Sequence, residues 1–500
     1  MHTIFACLGG TGTQIGRAIG TLYPLLKKEN DEGLIDEPFD MFIVDKDTNS
    51  GIFKGCVGAR DRYEQCYKAL PFNEPLEPFY LGHDVYQELQ GATGLLRDSI
   101  YTLKNIIGED KFVLELASMC WNEEKIGESL RDGNNRDPSR GALDAAVCLN
   151  NLDQSSFYMK IDKIISERSL DQVRLVILGG ATGGMGSSLI VPLVKRINAK
   201  YPQLRVDLVI LGTYFTIPQR EDEQNKSSVD NIGTSKDSFY RASDQLKELY
   251  QEKVVTNESR VYYAAIPELD PGVSGDVFEK NGADRRAHLV ELCAALAAFE
   301  IADKKPGFYQ TVLSYNFQST EAGNVVRWDD IPGGNKIHKK ALRFMSLLSL
   351  LSCRIYPVLD NAEKSAEIAK HRSELINRYF KKKDQETIDA AITALRAWLQ
   401  ITEPYFTFWD NIQEYSKLGF KDSRNPVLFF DREQMAKLKE ELASRQMSKL
   451  GSIPFIKEKW SDILGNLKPD AKKIAAASDS TELLKLLIQD VYRYILNDIK

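Results

Sequence analysis

Two glycine-rich segments are the part of this sequence whose residue types and spacing best suit ligand binding. Gly9–Gly16 (GGTGTQIG) and Gly179–Ser187 (GGATGGMGS) each follow a short apolar run. Glycine lets a backbone approach a phosphate closely, and a helix that begins there offers unpaired N–H groups and a partial positive charge. We therefore predict that both segments bind phosphate, although either one alone could be a tight turn without a ligand. Neither fits GxxxxGK[ST], so neither is a P-loop.

A third segment, Asp132–Gly141 (DGNNRDPSRG), combines turn-forming and basic residues. Asn134 and Asn135 are residues that readily adopt turn conformations. Arg136 and Arg140 could form ion pairs with phosphate. Taken in isolation, the segment is more typical of a surface turn with solvated arginines.

Two carboxylates, Asp45 and Asp47, follow the apolar run Met41–Val44. In a dinucleotide-binding fold an acidic residue at the end of the second strand binds a ribose, which favours an NAD(P)-dependent oxidoreductase. The first glycine segment departs from the GxGxxG pattern of that fold, because its last glycine, Gly16, comes one position late. Alternatively, the two carboxylates could hold Mg²⁺ directly or through water. The residues alone leave both interpretations open.

The elements that position these residues follow from the alternation of apolar runs and helical patterns over the first 305 residues, which predicts a parallel α/β sheet. The predicted strands are Ile4–Leu8, Met41–Val44, Val173–Leu178, Val206–Leu211 and Val261–Ile266. The predicted helices are Thr13–Leu26, Leu95–Ile107, Ser187–Lys200, Ala242–Glu252 and an almost entirely apolar core helix, Ala287–Asp303. The glycine segments then lie at the carboxyl ends of strands, where such sheets bind ligands.

The pattern changes after Pro306. A weak β-like stretch is followed by an amphipathic helix over Lys336–Cys353, and from about Asn361 the sequence is mostly helical. We therefore predict a nucleotide-binding domain over 1–305, an activation or second-domain segment over 306–360, and a mainly helical C-terminal region over 361–500.

Composition excludes several classes of protein. The 500 residues carry 65 Lys and Arg against 71 Asp and Glu, a net charge of −6, which argues against direct nucleic-acid binding. The seven cysteines form no CxxC pair and suit a reducing compartment, and the five scattered histidines argue against a histidine-rich metal centre. No uninterrupted apolar run reaches the ~18 residues of a membrane span, and no secretion signal is recognised. We expect a cytoplasmic protein.

Taken together, the motifs resemble those of the tubulin/FtsZ superfamily of GTP-binding proteins. Gly9–Gly16 is similar to tubulin GQCGNQIG, and GGATGGMGSSLI with its following KRINAKYP is similar to GGGTGSGMGTLLI followed by KIREEYP. VDKD at 44–47 resembles VDLEP, and DGNNRDPSRGALDAA resembles FtsZ GAGANPEVGRKAA. HLVELCAALAAFE at 288–300 resembles the family's core helix, especially in its divergent prokaryotic tubulin-like branch. The resemblance covers roughly residues 1–350.

The resemblance implies a Rossmann-like GTPase domain of tubulin/FtsZ type that binds GTP or GDP with Mg²⁺. Asp45 and Asp47 would approach the metal. Guanine would lie near the start of the core helix, where Asn281 or Asp284 could accept hydrogen bonds from it, although a helix cap and a solvated acid are equally consistent with these two residues. The other residues implied in nucleotide binding are Gly9, Gly10, Thr11, Gly12, Thr13, Gln14, Asn134, Asn135, Gly179, Gly180, Ala181, Thr182, Gly183, Gly184, Met185, Gly186 and Ser187.

The resemblance also implies self-assembly, in filaments or oligomers, with GTP hydrolysed between subunits. The family's catalytic loop reads NxDxxD or NxDxxE, and its best counterpart is Asn324–Asp329 (NVVRWD), where Val326 replaces the middle acid. Asp329, or Asp330 as the alternate, would orient water in a neighbour's site, although this segment could instead cap the helix after Pro332.

Three departures from the family leave alternatives. The second glycine segment is one residue shorter than in tubulin, Ala181 replaces a glycine, and the chain from about residue 360 matches neither tubulin nor FtsZ. One alternative is a nucleotide-gated interaction protein with little hydrolysis, which Val326 favours and whose helical C-terminal region would recruit a protein partner. The other alternative is the NAD(P)-dependent oxidoreductase.

Overall fold

The computed structural model describes the centre of the sheet, the core helix and the C-terminal helices. The described residues are 1–26, 39–45, 52–53, 55–58, 87–88, 115, 141, 156–181, 186–212, 244–245, 248, 260–264, 287–310, 326–360, 365–381, 383–415, 427–444 and 452–498. Nine predicted site residues lie outside them: Asp47, Asn134, Asn135, Thr182, Gly183, Gly184, Met185, Asn281 and Asp284. The predicted helix Leu95–Ile107 and most of Ala242–Glu252 also lie outside.

The described strands form one parallel sheet, in the order β3-β2-β1-β4-β5-β6-β7. The predicted α/β class is therefore confirmed. The strands are β1 (His2–Leu8), β2 (Phe39–Val44), β3 (Gln87–Glu88), β4 (Val173–Gly180), β5 (Arg205–Leu211), β6 (Arg260–Ala264) and β7 (Gly307–Gln310). The five predicted strands all form, whereas the two-residue β3 was not predicted and β7 was recognised only as a weak β-like stretch.

Helices cover both faces of this sheet, as expected for strands that are apolar along their whole length. They are α1 (Gly9–Leu26), α2 (Ser156–Glu167), α3 (Gly186–Lys200) and α4 (Leu289–Glu300). α1 and α4 share one buried cluster with Phe5 and Cys7 of β1, whereas α2 and α3 share the other with Ile4 and Ala6. This separation follows from the alternation of side chains along a strand. Every residue of α4 except Glu300 is buried, which confirms the predicted core helix.

The direction of α4 is fixed by arginines at the amino ends of two strands. Arg174 of β4 donates from Nη2 to the carbonyl of Ala298 (2.9 Å), and Arg205 of β5 donates to that of Ala302 (2.9 Å). The fully buried carboxylate of Asp207 lies between both guanidinium groups, 3.7 Å from Arg174 and 2.8 Å from Arg205. These cations satisfy one carbonyl in the last turn of the helix and one in the 3₁₀ turn Ile301–Asp303 that follows it. The first turn of α4 therefore lies at the opposite edge, where the strands end.

Helices predominate after residue 310, and they share the core of the sheet domain. They are α5 (Gly334–Leu350), α6 (Tyr356–Asp360), α7 (Ala366–Tyr379), α8 (Gln385–Trp398), α9 (Thr402–Tyr415), α10 (Arg432–Ser444), α11 (Trp460–Asn466), α12 (Ala471–Ala476) and α13 (Ser480–Asp498). Two short strands, β8 (Ser452–Ile453) and β9 (Ile456–Lys459), form an antiparallel pair. One buried apolar cluster extends from Phe5 in β1 to Ile495 in α13. The three-part division of the chain stays a prediction.

One helical stretch among the described residues has the length and composition of a membrane span. It is Gly334–Asp360, 27 residues, in which α5 and α6 are joined by a π-helical turn over Leu351–Ile355. However, 72% of the most apolar 18 residues of this stretch is buried inside the protein. The turn directs Arg354 to a buried ion pair with Glu441 (2.7 Å). Packing in the core thus explains the apolar composition of this stretch.

Candidate functional site

The candidate site lies at the carboxyl ends of β1 and β4, which are neighbours in the sheet. α1 follows β1 onto one face, whereas α3 follows β4 onto the other. From β1 the chain continues to β2 on one side, and from β4 it continues to β5 on the other side, so the order in which strands are added reverses between β1 and β4. Open α/β sheets bind ligands in the crevice at such a point. The described parts of both predicted glycine segments lie at this edge, since Gly9 directly follows β1, Gly180 ends β4 and Gly186 begins α3. The structure therefore brings these parts of the two segments together.

Close packing explains two of the glycines without a ligand. A Cβ atom on Gly12 would collide with the carbonyl oxygen of Leu178 in β4. Reciprocally, a Cβ atom on Gly186 would lie 2.8 Å from the carbonyl oxygen of Leu8 in β1. Each helix therefore begins against the end of the other helix's strand, which only glycine permits. As a result, the amino ends of α1 and α3 converge on one crevice.

Gly10 differs from these glycines, because its described neighbours leave room for a side chain. A Cβ atom there would come no closer than 3.9 Å to Asp45 Oδ2 and Ile52 Cδ1, an ordinary contact distance. Its backbone does not adopt the left-handed conformation either, in contrast to Gly9 with φ of 65°. Packing among the described residues thus gives no reason for glycine at position 10. Close approach of a ligand would give one.

α1 begins at Gly9 and not at Thr13 as predicted. The left-handed Gly9 alone makes the turn from β1, so residues 9–12 form the first turn of the helix. The hydroxyl of Thr13 donates to the carbonyl of Gly9 (2.9 Å). Neither α1 nor α3 has an acidic residue in its first turn. The positive ends of both helix dipoles are therefore available to an anion.

Gln14 is one of the buried polar side chains that packing among the described residues leaves unsatisfied. It is fully buried, and neither Oε1 nor Nε2 has a hydrogen-bond partner in the described part of the chain. Such a group costs about 1–3 kcal/mol, so native proteins rarely keep one without a reason. Gln14 shares a helix face with Gly10, four residues earlier, and helical side chains lean towards the amino end. Gln14 therefore lies on the same face of α1 as Gly10, one helical turn further along.

Two charged residues that the sequence analysis did not identify lie between α1 and the first turn of α4. Arg17, three residues after Gln14 on α1, has Nη2 3.6 Å from Oε2 of Glu291, whose side chain is 1% exposed. His288 caps α4, because its Nδ1 accepts from the N–H of Val290 (3.3 Å). Glu291 is the only carboxylate within the apolar segment Leu289–Phe299, and that isolated charge is the sequence signal that could have revealed it.

Asp45 reaches the start of α1 from the end of β2. It is 7% exposed, and its Oδ2 is the atom that lies 3.9 Å from a Cβ position on Gly10. The described residues contain no group of three or more potential metal ligands. Mg²⁺ is nevertheless commonly held by one or two carboxylates together with substrate phosphates and water. One carboxylate beside a phosphate crevice therefore fits this metal.

In the second glycine segment, Ala181 and Ser187 are described, and the backbone donor of Ala181 is not available to a ligand. The N–H of Ala181 donates to the carbonyl of Leu211 (2.9 Å), so this donor is already used within the sheet. The side chain of Ala181 is fully buried. Ser187 is buried in the first turn of α3. Sheet packing, and not ligand binding, thus accounts for the backbone donor at Ala181.

The predicted catalytic residues lie on a short 3₁₀ turn, Trp328–Asp330. Asp330 Oδ2 accepts from the N–H of Arg327 (2.7 Å) and so caps this turn itself. The cap considered for the helix after Pro332 is wrong, because α5 follows Gly333 and has no side-chain cap. Asp329 and Asp330 are both exposed. Val326 is buried, and its carbonyl accepts from the N–H of Leu428 (2.9 Å). The turn therefore packs against the 427–430 segment of the C-terminal region, and only Asp329 presents a carboxylate not used as the cap.

No protein-family model matches the chain, and no curated protein matches it significantly. The choice of ligand therefore depends on the crevice and on the motifs described above.

Proposed function

We propose that this protein binds a guanine nucleotide with Mg²⁺, self-assembles, and hydrolyses GTP at the contact between subunits. The observation that carries the proposal is the crevice where the amino ends of α1 and α3 converge beside the buried, unsatisfied amide of Gln14. Two positive helix ends suit a di- or triphosphate, and an unsatisfied amide suits the hydrogen-bonding groups of a nucleotide. The choice of guanine comes from the motif resemblance to the tubulin/FtsZ superfamily.

In this proposal each part of the crevice has one task. The backbone N–H groups at Gly10–Gly12 and at the start of α3 bind the phosphates. Asp45 binds Mg²⁺, directly or through water, and the metal would neutralise phosphate charge. Gln14 donates and accepts hydrogen bonds on the α4 side, where Arg17 and Glu291 set the local charge.

Hydrolysis would require a second subunit. The exposed Asp329 would face the nucleotide of a neighbouring copy and orient the attacking water towards the γ-phosphate. The rigid attachment of its turn suits this task, because positioning supplies most of the catalysis in phosphoryl transfer. Asp330 is less suited, since its carboxylate already accepts from the backbone of Arg327.

The first experiment identifies the nucleotide. The absorbance spectrum of the ligand extracted from purified protein distinguishes guanine from nicotinamide, and titration calorimetry compares GTP, GDP, ATP and NAD. We expect GTP or GDP to bind more tightly than ATP and NAD, and hydrolysis per molecule to rise with protein concentration. Binding of NAD that equals or exceeds that of GTP would refute the proposal.

An NAD(P)-dependent oxidoreductase is the second candidate, and Asp45 at the end of β2 is the observation that favours it. The strand order 3-2-1-4-5-6 is shared with dinucleotide-binding folds. In addition, a Cβ atom on Gly16 would lie 2.6 Å from Cys7 Sγ, so this glycine gives the close helix–strand contact that the third glycine of the fingerprint provides. The calorimetric comparison above separates the two candidates.

A nucleotide-gated interaction protein is the third candidate. The buried Val326, which pairs with Val427, occupies the position of the missing middle acid. Nucleotide binding with no hydrolysis at any protein concentration would favour this candidate over the GTPase.

A further inference from the structure

The hairpin of β8 and β9 turns through Pro454 and Phe455, and Phe455 has an unusual backbone conformation. Ile453 pairs with Ile456, so these two residues form the whole turn. The φ angle of Phe455 is 65°, the one positive value among the described residues other than glycine. This left-handed conformation is disfavoured for a bulky side chain, and turns usually place glycine or asparagine there. Such strain persists only where the surrounding structure imposes it, and it is often found at functional sites.

Two helices hold the backbone of this hairpin tip. The hydroxyl of Ser349 in α5 donates to the carbonyl of Pro454 (3.1 Å). The N–H of Phe455 donates to Oε1 of Gln434 in α10 (3.0 Å). Both bonds use main-chain atoms of the tip, so a glycine at position 455 would keep them. What glycine would lose is the phenyl ring, and the contacts of that ring therefore explain why a strained phenylalanine occupies this position.

The ring of Phe455 begins a row of packed aromatic rings. It lies edge-on to Phe430, with centroids 5.9 Å apart. Phe430 in turn lies edge-on to Trp328, with centroids 5.9 Å apart, and to Trp409 at 5.4 Å. We call Phe455, Phe430 and Trp328 the aromatic row. Because protein interiors are close-packed, displacement of one ring of this row shifts the next.

The aromatic row ends at the turn that carries Asp329. Trp328 is 3% exposed, and its indole N–H donates to the carbonyl of Phe429 (2.8 Å). Asp329 follows Trp328 directly in a 3₁₀ turn of three residues, which Asp330 caps. A displaced Trp328 ring would therefore move the backbone from which Asp329 projects.

We propose that Phe455 is a positioning residue for Asp329. Its ring supports Phe430 against Trp328 and so fixes the direction in which the Asp329 carboxylate faces a neighbouring subunit. Without the ring, the aromatic row relaxes towards the hairpin, and the carboxylate loses its alignment with the attacking water. This role rests on the proposed function, since Asp329 orients water only if GTP is hydrolysed between subunits. It also gives the C-terminal region a part in hydrolysis, although the motif resemblance ends near residue 350.

GTP hydrolysis by Phe455→Gly tests this role, with rates expressed per assembled subunit as measured by sedimentation. Glycine relieves the positive φ and keeps both main-chain hydrogen bonds, so the variant should fold. We expect the rate at saturating GTP to fall about tenfold at unchanged GTP affinity, because a misplaced catalytic group costs rate and not ground-state binding. Phe455→Tyr keeps the ring and should retain the wild-type rate. A wild-type rate in Phe455→Gly would overturn the role.

Phe380→Leu is the matched control for a loss of packing alone. Phe380 follows α7 in the same C-terminal region and is 2% exposed, and among the described residues it has no ring contact with the aromatic row. This variant should have a lower melting temperature but a wild-type rate per assembled subunit. An equal loss of hydrolysis in Phe380→Leu and Phe455→Gly would mean that Phe455 contributes only to stability, and it would overturn the positioning role.

Fluorine NMR of protein labelled with fluorotryptophan gives a readout that does not depend on catalysis. The chain has five tryptophans, so the signal of Trp328 is assigned by its loss in Trp328→Phe. Phe455→Gly should shift this signal, whereas Phe455→Tyr and Phe380→Leu should leave it in place. An unchanged signal in Phe455→Gly would overturn the role.

The same measurements separate failure of this role from failure of the proposed function. Wild-type protein that binds no GTP, or never hydrolyses it, would overturn the proposed function and this role together. A shifted Trp328 signal in Phe455→Gly with hydrolysis at the wild-type rate would overturn this role alone.

Discussion

Replacing Gln14 with methionine distinguishes an amide kept for a ligand from an amide kept for the fold. Methionine has nearly the same length and volume as glutamine and a similar helix propensity, so α1 should accept it. The substitution removes both amide atoms, which have no hydrogen-bond partner in the described part of the chain. The nucleotide-free and nucleotide-bound proteins should then respond in opposite directions.

The expected magnitudes follow from the burial of this side chain. Gln14 is 0% exposed, so its amide has no bulk water to compensate for the missing partners. Removal of an unsatisfied buried polar group should recover about 1 kcal/mol, which raises the melting temperature of the nucleotide-free protein by about 1 °C. If the amide binds nucleotide, the loss of one or two hydrogen bonds should weaken GTP affinity by about tenfold or more.

Thermal denaturation of nucleotide-stripped protein and titration calorimetry with GTP measure these two effects. Gln413→Met is the matched control, because Gln413 is also buried but its Oε1 accepts from the N–H groups of Phe429 (2.9 Å) and Phe430 (2.5 Å). Its removal leaves two buried donors unpaired and should cost about 2 kcal/mol or more. GTP affinity should remain unchanged in this control. A Gln14→Met protein that is less stable yet binds GTP normally would refute the ligand role of Gln14.

Three further tests address other parts of the site. Gly186→Ala places a methyl group 2.8 Å from the carbonyl oxygen of Leu8, so thermal denaturation should show a loss of about 1–3 kcal/mol and calorimetry weaker GTP binding; no change in either would contradict the packing argument. Asp329→Asn should abolish concentration-dependent hydrolysis at unchanged GTP affinity, whereas Asp330→Ala should cost about 1 kcal/mol of stability in a urea titration and spare hydrolysis. Asp45→Asn should raise the Mg²⁺ concentration needed for tight GTP binding, and identical Mg²⁺ titrations would exclude a metal role.

The sheet could be predicted from the sequence because its strands are apolar on both sides. β1, β4 and β5 have few polar residues to obscure them, and their predicted ends agree with the structure within two residues. α4 was predicted for the same reason. The start of α1 was not, because glycine has a low helix propensity and only contact with the ends of β1 and β4 makes Gly9–Gly12 helical.

The candidate site could be predicted only where residues adjacent in sequence form it. The glycine segments and Asp45 each follow a strand, so the rule that strand ends form the ligand edge places them together. The contact of Arg17 with Glu291 joins helices that are far apart in the sequence, and no local pattern shows which residues of α1 and α4 meet. The stacking of His338 on Trp328 depends likewise on how α5 packs against a turn, which periodicity does not specify.

The single buried cluster that includes both β1 and α13 has a consequence for ligand linkage. Leu483, Leu487 and Val491 of α13 belong to the same cluster as Phe5, so opening the last helix exposes part of the core that supports the crevice. Amides that exchange with solvent only through global unfolding should therefore occur at both ends of the chain. A nucleotide at 100 times its Kd stabilises the folded state by about 2.7 kcal/mol and slows such exchange by about 100-fold. Deuterium uptake in α13 would then report whether nucleotide occupies the candidate site, although α13 is not one of the elements that form that site.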